Sequence, residues 1–168
     1  VYNQKTGEPE AFLLDNGYLT TVRTAAAGAL CAKHLAPGNL ERIGMFGCGI
    51  QGQIQLEFLD GIVDCREVLA WSRKPETLES YEEAMNAKGF NVSSTQDAAE
   101  VAATCNLIVM CTPSLEPLLQ AEDIRPGTHI TALGSDIPEK IELDPHVLAK
   151  ADVVVADSLL QSRTRGEI

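Results

Sequence analysis

Between Arg42 and Leu59 the chain reads RIGMFGCGIQGQIQLEFL: an apolar run, a turn holding Gly47, Gly49 and Gly52, then a second apolar run with helical spacing. Glycine gives up backbone entropy on folding and offers nothing to pack, so three of them at one turn need a reason. Their spacing, G-x-G-x-x-G, supplies it when the turn joins a strand to a helix. The first glycine allows the tight turn and the second lets a pyrophosphate approach the backbone. The third lets helix and strand pack closely, with the helix N-terminus facing the anion. Ordinary turn glycines are the plainer explanation, and the surrounding elements must decide.

Those elements alternate. RIGMFG, EVLAWS, FNVSST, LIVMCT, GTHITAL and DVVVAD read as strands. IQGQIQLEFLDGI, ETLESYEEAMNAKG, DAAEVAATC and DPHVLAKA read as helices, Gly89 closing the second and Asp144 capping the last. Thr20–Ala36 is rich in helix formers and small residues and stops at PGN, while VYN and EAFLLD flank a turn and suggest a hairpin. Strands alternating with helices imply an α/β fold, a doubly wound parallel sheet, which together with the glycine pattern is of the Rossmann-like, NAD(P)-binding type. In that setting the glycine pattern reads as a dinucleotide loop.

The acid that selects NAD(H) is expected about 20 residues beyond the loop, at the end of the second strand. This chain has Ser72 there, followed by Arg73 and Lys74. A hydroxyl beside a guanidinium suits a 2′-phosphate, so NADP(H) is favoured, with NAD(H) the alternative and a solvated Arg-Lys pair the plain reading. Asp plus Glu outnumber Lys plus Arg by 24 to 13, a formal charge of −11, which disfavours nucleic acid as a partner. No apolar run reaches the ~18 residues of a membrane span. Five cysteines without CxxC spacing read as core hydrophobes in a reducing, cytoplasmic setting; three scattered histidines suggest no metal site.

In an open parallel sheet, ligands sit beyond the carboxyl ends of the strands. There the chain places Thr112 and Ser114, and after the fifth strand Leu133, Gly134, Ser135, Asp136 and Lys140. An Asx-turn role is the plain alternative for Asp136.

The blocks LTTVRTAAAGAL, GCGIQGQIQLEFL, CTPSLEPLL, GTHITALGSDIPEKIELD and VVVADSLLQSRTRGEI occur in this order over nearly the whole chain. Together they resemble the ornithine cyclodeaminase/mu-crystallin family; DNGYLT and VRTAAAGA are also similar to members linked to ectoine breakdown. The resemblance implies hydride transfer at the α-carbon of an amino acid through an imine. The outcome would be ammonia loss and cyclisation, or ketimine or pyrroline-carboxylate reduction, or alanine dehydrogenation. It implies that Asp136 is catalytic and substrate-binding, and that Arg23 reaches both substrate carboxylate and cofactor. Gly49, Ile50 and Gln51 would hold the pyrophosphate, Thr112 would lie on the nicotinamide side, and Lys140 would be a further cofactor contact. A cation in the first turn of a helix opposes the dipole, which makes a purely structural role for Arg23 less attractive.

The family pattern also implies a two-domain enzyme. Residues 1–18 then read as a remnant of the partner domain's hairpin and 19–168 as the dinucleotide domain. Without the partner domain's substrate-binding residues the isolated piece is expected to be inactive, and homodimerisation is expected to run through sequence outside it. A non-catalytic, crystallin-like dinucleotide binder is the competing reading, against which Asp136 speaks.

Overall fold

The computed structural model describes residues 1–168. Its centre is a parallel sheet of five strands: β1 (Ile43–Phe46), β2 (Glu67–Trp71), β3 (Asn91–Thr95), β4 (Leu107–Met110) and β5 (His129–Ala132). Their spatial order is β3-β2-β1-β4-β5, so the chain reverses direction of travel across the sheet between β1 and β4. Ile43, for instance, lies level with Val68 on one side and Leu107 on the other.

β1 and β4 are buried along their whole length, as continuous apolar runs in a doubly covered sheet should be. Alternate residues serve opposite faces. Ile43, Met45, Val68, Ala70, Leu107 and Val109 join a 15-residue core with Leu56 and Leu59 of α2 (Ile50–Leu59) and Leu78, Tyr81 and Met85 of α3 (Pro75–Asn86). Phe46, Leu69, Trp71, Ile108 and Met110 join a second core with Val101 of α4 (Ala98–Thr104) and Val147 of α5 (Pro145–Lys150). The structure is therefore the three-layer doubly wound fold expected, with Asp97 and Asp144 capping α4 and α5 through their carboxylates.

Three expected features differ. The first helix, α1, begins at Tyr18 rather than Thr20, because the Asp15 carboxylate accepts the Leu19 amide at 2.7 Å. Arg23 consequently sits in the second turn, where the dipole argument against a structural role loses most of its force. The expected N-terminal hairpin is reduced to one antiparallel bridge, Tyr2 with Pro9. Val153–Val155 form no ladder and stay exposed, so the sheet ends at β5. No helix is long and apolar enough to cross a membrane.

Candidate functional site

The site is built where the sheet reverses. Gly47 leaves β1 with φ +100°, a conformation that side chains rarely adopt, and a Cβ there would lie 2.8 Å from the Cys111 carbonyl oxygen at the end of β4. Gly52 sits in the first turn of α2, and a Cβ would come 1.9 Å from the Gly47 carbonyl oxygen. Helix and turn are thus in backbone contact. Buried Tyr81 braces this helix by donating its hydroxyl to the Gly52 carbonyl at 3.3 Å.

Gly49 differs from both. Its backbone is extended (φ −85°, ψ −164°), and its missing Cβ would meet nothing within 4 Å. As N-cap of α2 it supplies no side-chain acceptor, so the first amides of the helix, at Ile50, Gln51 and Gly52, have neither a side-chain cap nor an intrahelical partner. Open space in front of uncapped amides at the positive end of a helix accommodates an anionic group.

α1 (Tyr18–Leu35) docks beside α2 by polar contacts. Gln51 donates to the Thr21 carbonyl at 3.4 Å and Gln55 to the Thr24 carbonyl at 3.1 Å, so the two helices run in the same sense. Gly28 lies at this contact, where a Cβ would fall 2.3 Å from Oε1 at the end of the Gln55 side chain and 3.3 Å from Leu133. Gln55 is fully buried and its Oε1 has no hydrogen-bond partner. Arg23, also on α1, is exposed and makes no ion pair.

At the end of β2, the Ser72 hydroxyl accepts the Lys74 amide at 3.2 Å, and Arg73 and Lys74 are exposed with free side-chain ends. Gln96 holds the Arg73 carbonyl at 2.9 Å, fixing the backbone from which the guanidinium projects.

Beyond β4 and β5 the structure brings together two loops. Thr112 is buried and turned inward: its amide and its hydroxyl both donate to Glu142 Oε1 at 2.7 Å. The Leu133 amide donates to the Met110 carbonyl, and the Gly134 amide to Glu142 Oε2, both at 2.8 Å. Ser135 donates its hydroxyl to Glu167. Asp136 stands on the rim, its side chain 69% exposed, and accepts Lys140 Nζ at 2.6 Å. That hydrogen bond, chiefly, holds the Asp136 carboxyl below the usual aspartate range.

Sequence reasoning assigned nothing to Glu142, Glu167 or Gln55. The only local signal at Glu142 was an acid flanked directly by Ile141 and Leu143, within a segment that also holds Glu139, Lys140 and Asp144. Burial pushes its carboxyl above the usual range; hydrogen bonds from Thr112 and Gly134 pull the other way, and the neighbouring Glu167 charge adds to the rise.

Comparison with known proteins places this geometry in context. The model of the ornithine cyclodeaminase/mu-crystallin family matches residues 1–168. A protein of Sinorhizobium fredii named an uncharacterized cyclodeaminase is 41% identical over 167 residues, which is 99% of this chain and 50% of the relative. A solved archaeal alanine dehydrogenase dimer with bound NAD superimposes with a TM-score of 0.89 at 38% identity, over 99% of this chain and 51% of that one. A lysine cyclodeaminase, described for its recognition of L-lysine, L-ornithine and L-2,4-diamino butyric acid, gives 0.90 at 31% identity, over 99% and 48%. The chain spans about half the length of the curated relatives it matches.

Proposed function

The chain belongs to the ornithine cyclodeaminase/mu-crystallin family, and from that premise we propose that it is the dinucleotide-binding domain of an NAD(P)-dependent enzyme acting on an α-amino or cyclic imino acid. Residues 19–168 form that domain, and residues 1–18 belong with the partner domain. The reaction is cyclodeaminase-like: an α-amine is oxidised to an imine, ammonia leaves, a ring closes, and the ring imine is reduced. The observation that carries the reading is the open face of Gly49 before the uncapped α2 amides, at the point where the sheet reverses; Asp136 follows β5, which β4 separates from β1.

The residues present fit a dinucleotide. Gly49, Ile50 and Gln51 offer backbone amides to a pyrophosphate, with Gly47 and Gly52 holding the turn in contact with the helix. Arg73 and Ser72 reach the adenine ribose, and a free guanidinium with no acid beside it suits NADP(H) better than NAD(H). The β4 and β5 loops border the nicotinamide half, with Leu133, Gly134 and Ser135 along that edge. When bound, the dinucleotide would supply a hydride acceptor and then a hydride donor.

Arg23, exposed and unpaired on α1, fixes the α-carboxylate of the substrate. Asp136 faces the nitrogen. Lys140 keeps its carboxyl ionised, which makes it a weak base but a good counter-charge for a developing iminium. Lys140 is also the cation available to a phosphate or ribose oxygen when Asp136 turns to the substrate.

Two other outcomes of the same site are net dehydrogenation of an amino acid and net reduction of a cyclic imine. The similarity to alanine dehydrogenase favours the first of them as the second reading. Rapid mixing of the intact, dinucleotide-loaded protein with L-ornithine separates them. Transient reduced-nicotinamide absorbance with ammonia release supports cyclodeamination; lasting absorbance supports a dehydrogenase. No signal with any amino or cyclic imino acid refutes the proposal.

A further inference from the structure

A fully buried carboxylate with no Lys or Arg beside it is costly to desolvate and persists only where hydrogen-bond donors are arranged to meet it. Glu142 is such a group: it is 0% exposed and forms no salt bridge. Its three donors come from two different loops. Thr112 follows β4 and contributes an amide and a hydroxyl; Gly134 follows β5 and contributes an amide. The loops meet so closely that a Cβ on Gly134 would lie 2.3 Å from the Thr112 carbonyl oxygen and 2.5 Å from Glu142 Oε2.

The backbone around Glu142 is tied to the same two loops. Its carbonyl accepts the Leu118 amide at 2.7 Å, and the Ile141 amide donates to the Ser114 carbonyl at 3.0 Å. The Glu142 and Leu143 amides donate to Glu167 at 2.8 and 3.1 Å, and Glu167 also takes the Ser135 hydroxyl. None of Glu142's hydrogen bonds reaches the loops after β1 or β2.

We infer that Glu142 is a positioning residue whose carboxylate, by gripping Thr112 and Gly134 at once, fixes the spacing of the β4 and β5 loops and so shapes the nicotinamide half of the crevice. The inference rests on the dinucleotide reading above. It requires ligand affinity to divide along the molecule: the adenylate and pyrophosphate lie on loops that Glu142 does not touch.

The test is titration calorimetry of the intact protein with four probes: NADPH and NADH, and the same molecules without nicotinamide, 2′-phospho-ADP-ribose and ADP-ribose. Glu142→Gln keeps the shape, but its amide NH2 must face donors on one loop or the other, so one anchor is lost. Affinity for the preferred reduced dinucleotide should fall at least about tenfold, as the loss of one hydrogen bond to a charged group allows, while its nicotinamide-free partner stays within about twofold. Equal loss for both probes, or loss for neither, overturns the assignment. A wild-type protein that binds none of the four overturns the dinucleotide reading and this one with it. If Glu142→Gln fails to fold, Thr112→Val removes one donor at nearly constant shape. It should produce the same selective loss, and an unselective effect overturns the inference equally.

Discussion

The second and third glycines of the turn should fail in different ways. In Gly52→Ala the new methyl falls 1.9 Å from a backbone oxygen, and real Cβ contacts stop near 3.0 Å, so turn and helix must separate by about 1.1 Å. Because the opposing atom is backbone, no rotamer relieves the clash. Overpacking of this kind costs about 1–3 kcal/mol, and at about 2–4 °C per kcal/mol for a chain of this size the melting temperature should fall by several degrees. In Gly49→Ala the methyl meets nothing and the backbone angles suit alanine, so stability should stay within about 1 kcal/mol, the range of N-cap changes. Yet that methyl enters the space assigned to the pyrophosphate. Dinucleotide affinity should then drop at least about tenfold in both variants, through displaced amides in one and steric exclusion in the other. Thermal melting alongside fluorescence titration of the intact protein with reduced dinucleotide reads both quantities. Unchanged melting in Gly52→Ala would refute the packing argument, and wild-type affinity in Gly49→Ala would refute the phosphate position.

Asp136→Ala should leave dinucleotide affinity within about twofold but lower turnover at least about 100-fold, in the range expected for an acid-base or charge-stabilising group; steady-state kinetics beside the titration checks it. Arg73→Ala should weaken NADP(H) about 10- to 100-fold, the loss of one charge-assisted contact, while NAD(H) changes little. Similar titration curves for both cofactors in the unaltered protein would contradict the preference. pH separates the two acids. Asp136, its pKa lowered by folding, contributes stability that is present above the ordinary aspartate pKa and lost as pH falls through its folded value. Glu142, its pKa raised, contributes stability that is fully present below the ordinary glutamate pKa and lost as pH rises through the folded value. Denaturant unfolding of wild type and Glu142→Gln across mildly acidic to neutral pH should therefore show wild type losing ground to the variant as pH rises; parallel curves would refute this.

How much was legible depended on whether a signal was local. β1 and β4 announced themselves as apolar runs because both faces of those strands are covered, and Gly47 and Gly52 showed the strand–turn–helix join directly. Val153–Val155 misled because β propensity describes a residue's fit to a ladder, and no neighbouring strand pairs with them here. The N-terminal hairpin misled for a related reason. Two short strands are marginal without a third or a covering helix, and Phe12, Leu13 and Leu14 remain exposed. Glu142 escaped because its partners lie 30 residues before it in sequence and eight before it on the other loop. Only folding shows that both loops converge on one carboxylate. Thr112 and Ser135 follow the ends of β4 and β5, and their hydroxyls serve Glu142 and Glu167, contacts no local pattern announces.

The position of a bound nicotinamide ring decides whether the β4 and β5 loops form a hydride-transfer site. A crystal structure of the intact protein with its dinucleotide should place the pyrophosphate on the amides of Gly49, Ile50 and Gln51, and the ring between the β4 and β5 loops within reach of Asp136. A pyrophosphate elsewhere, or Asp136 directed away from the ring, would contradict that reading.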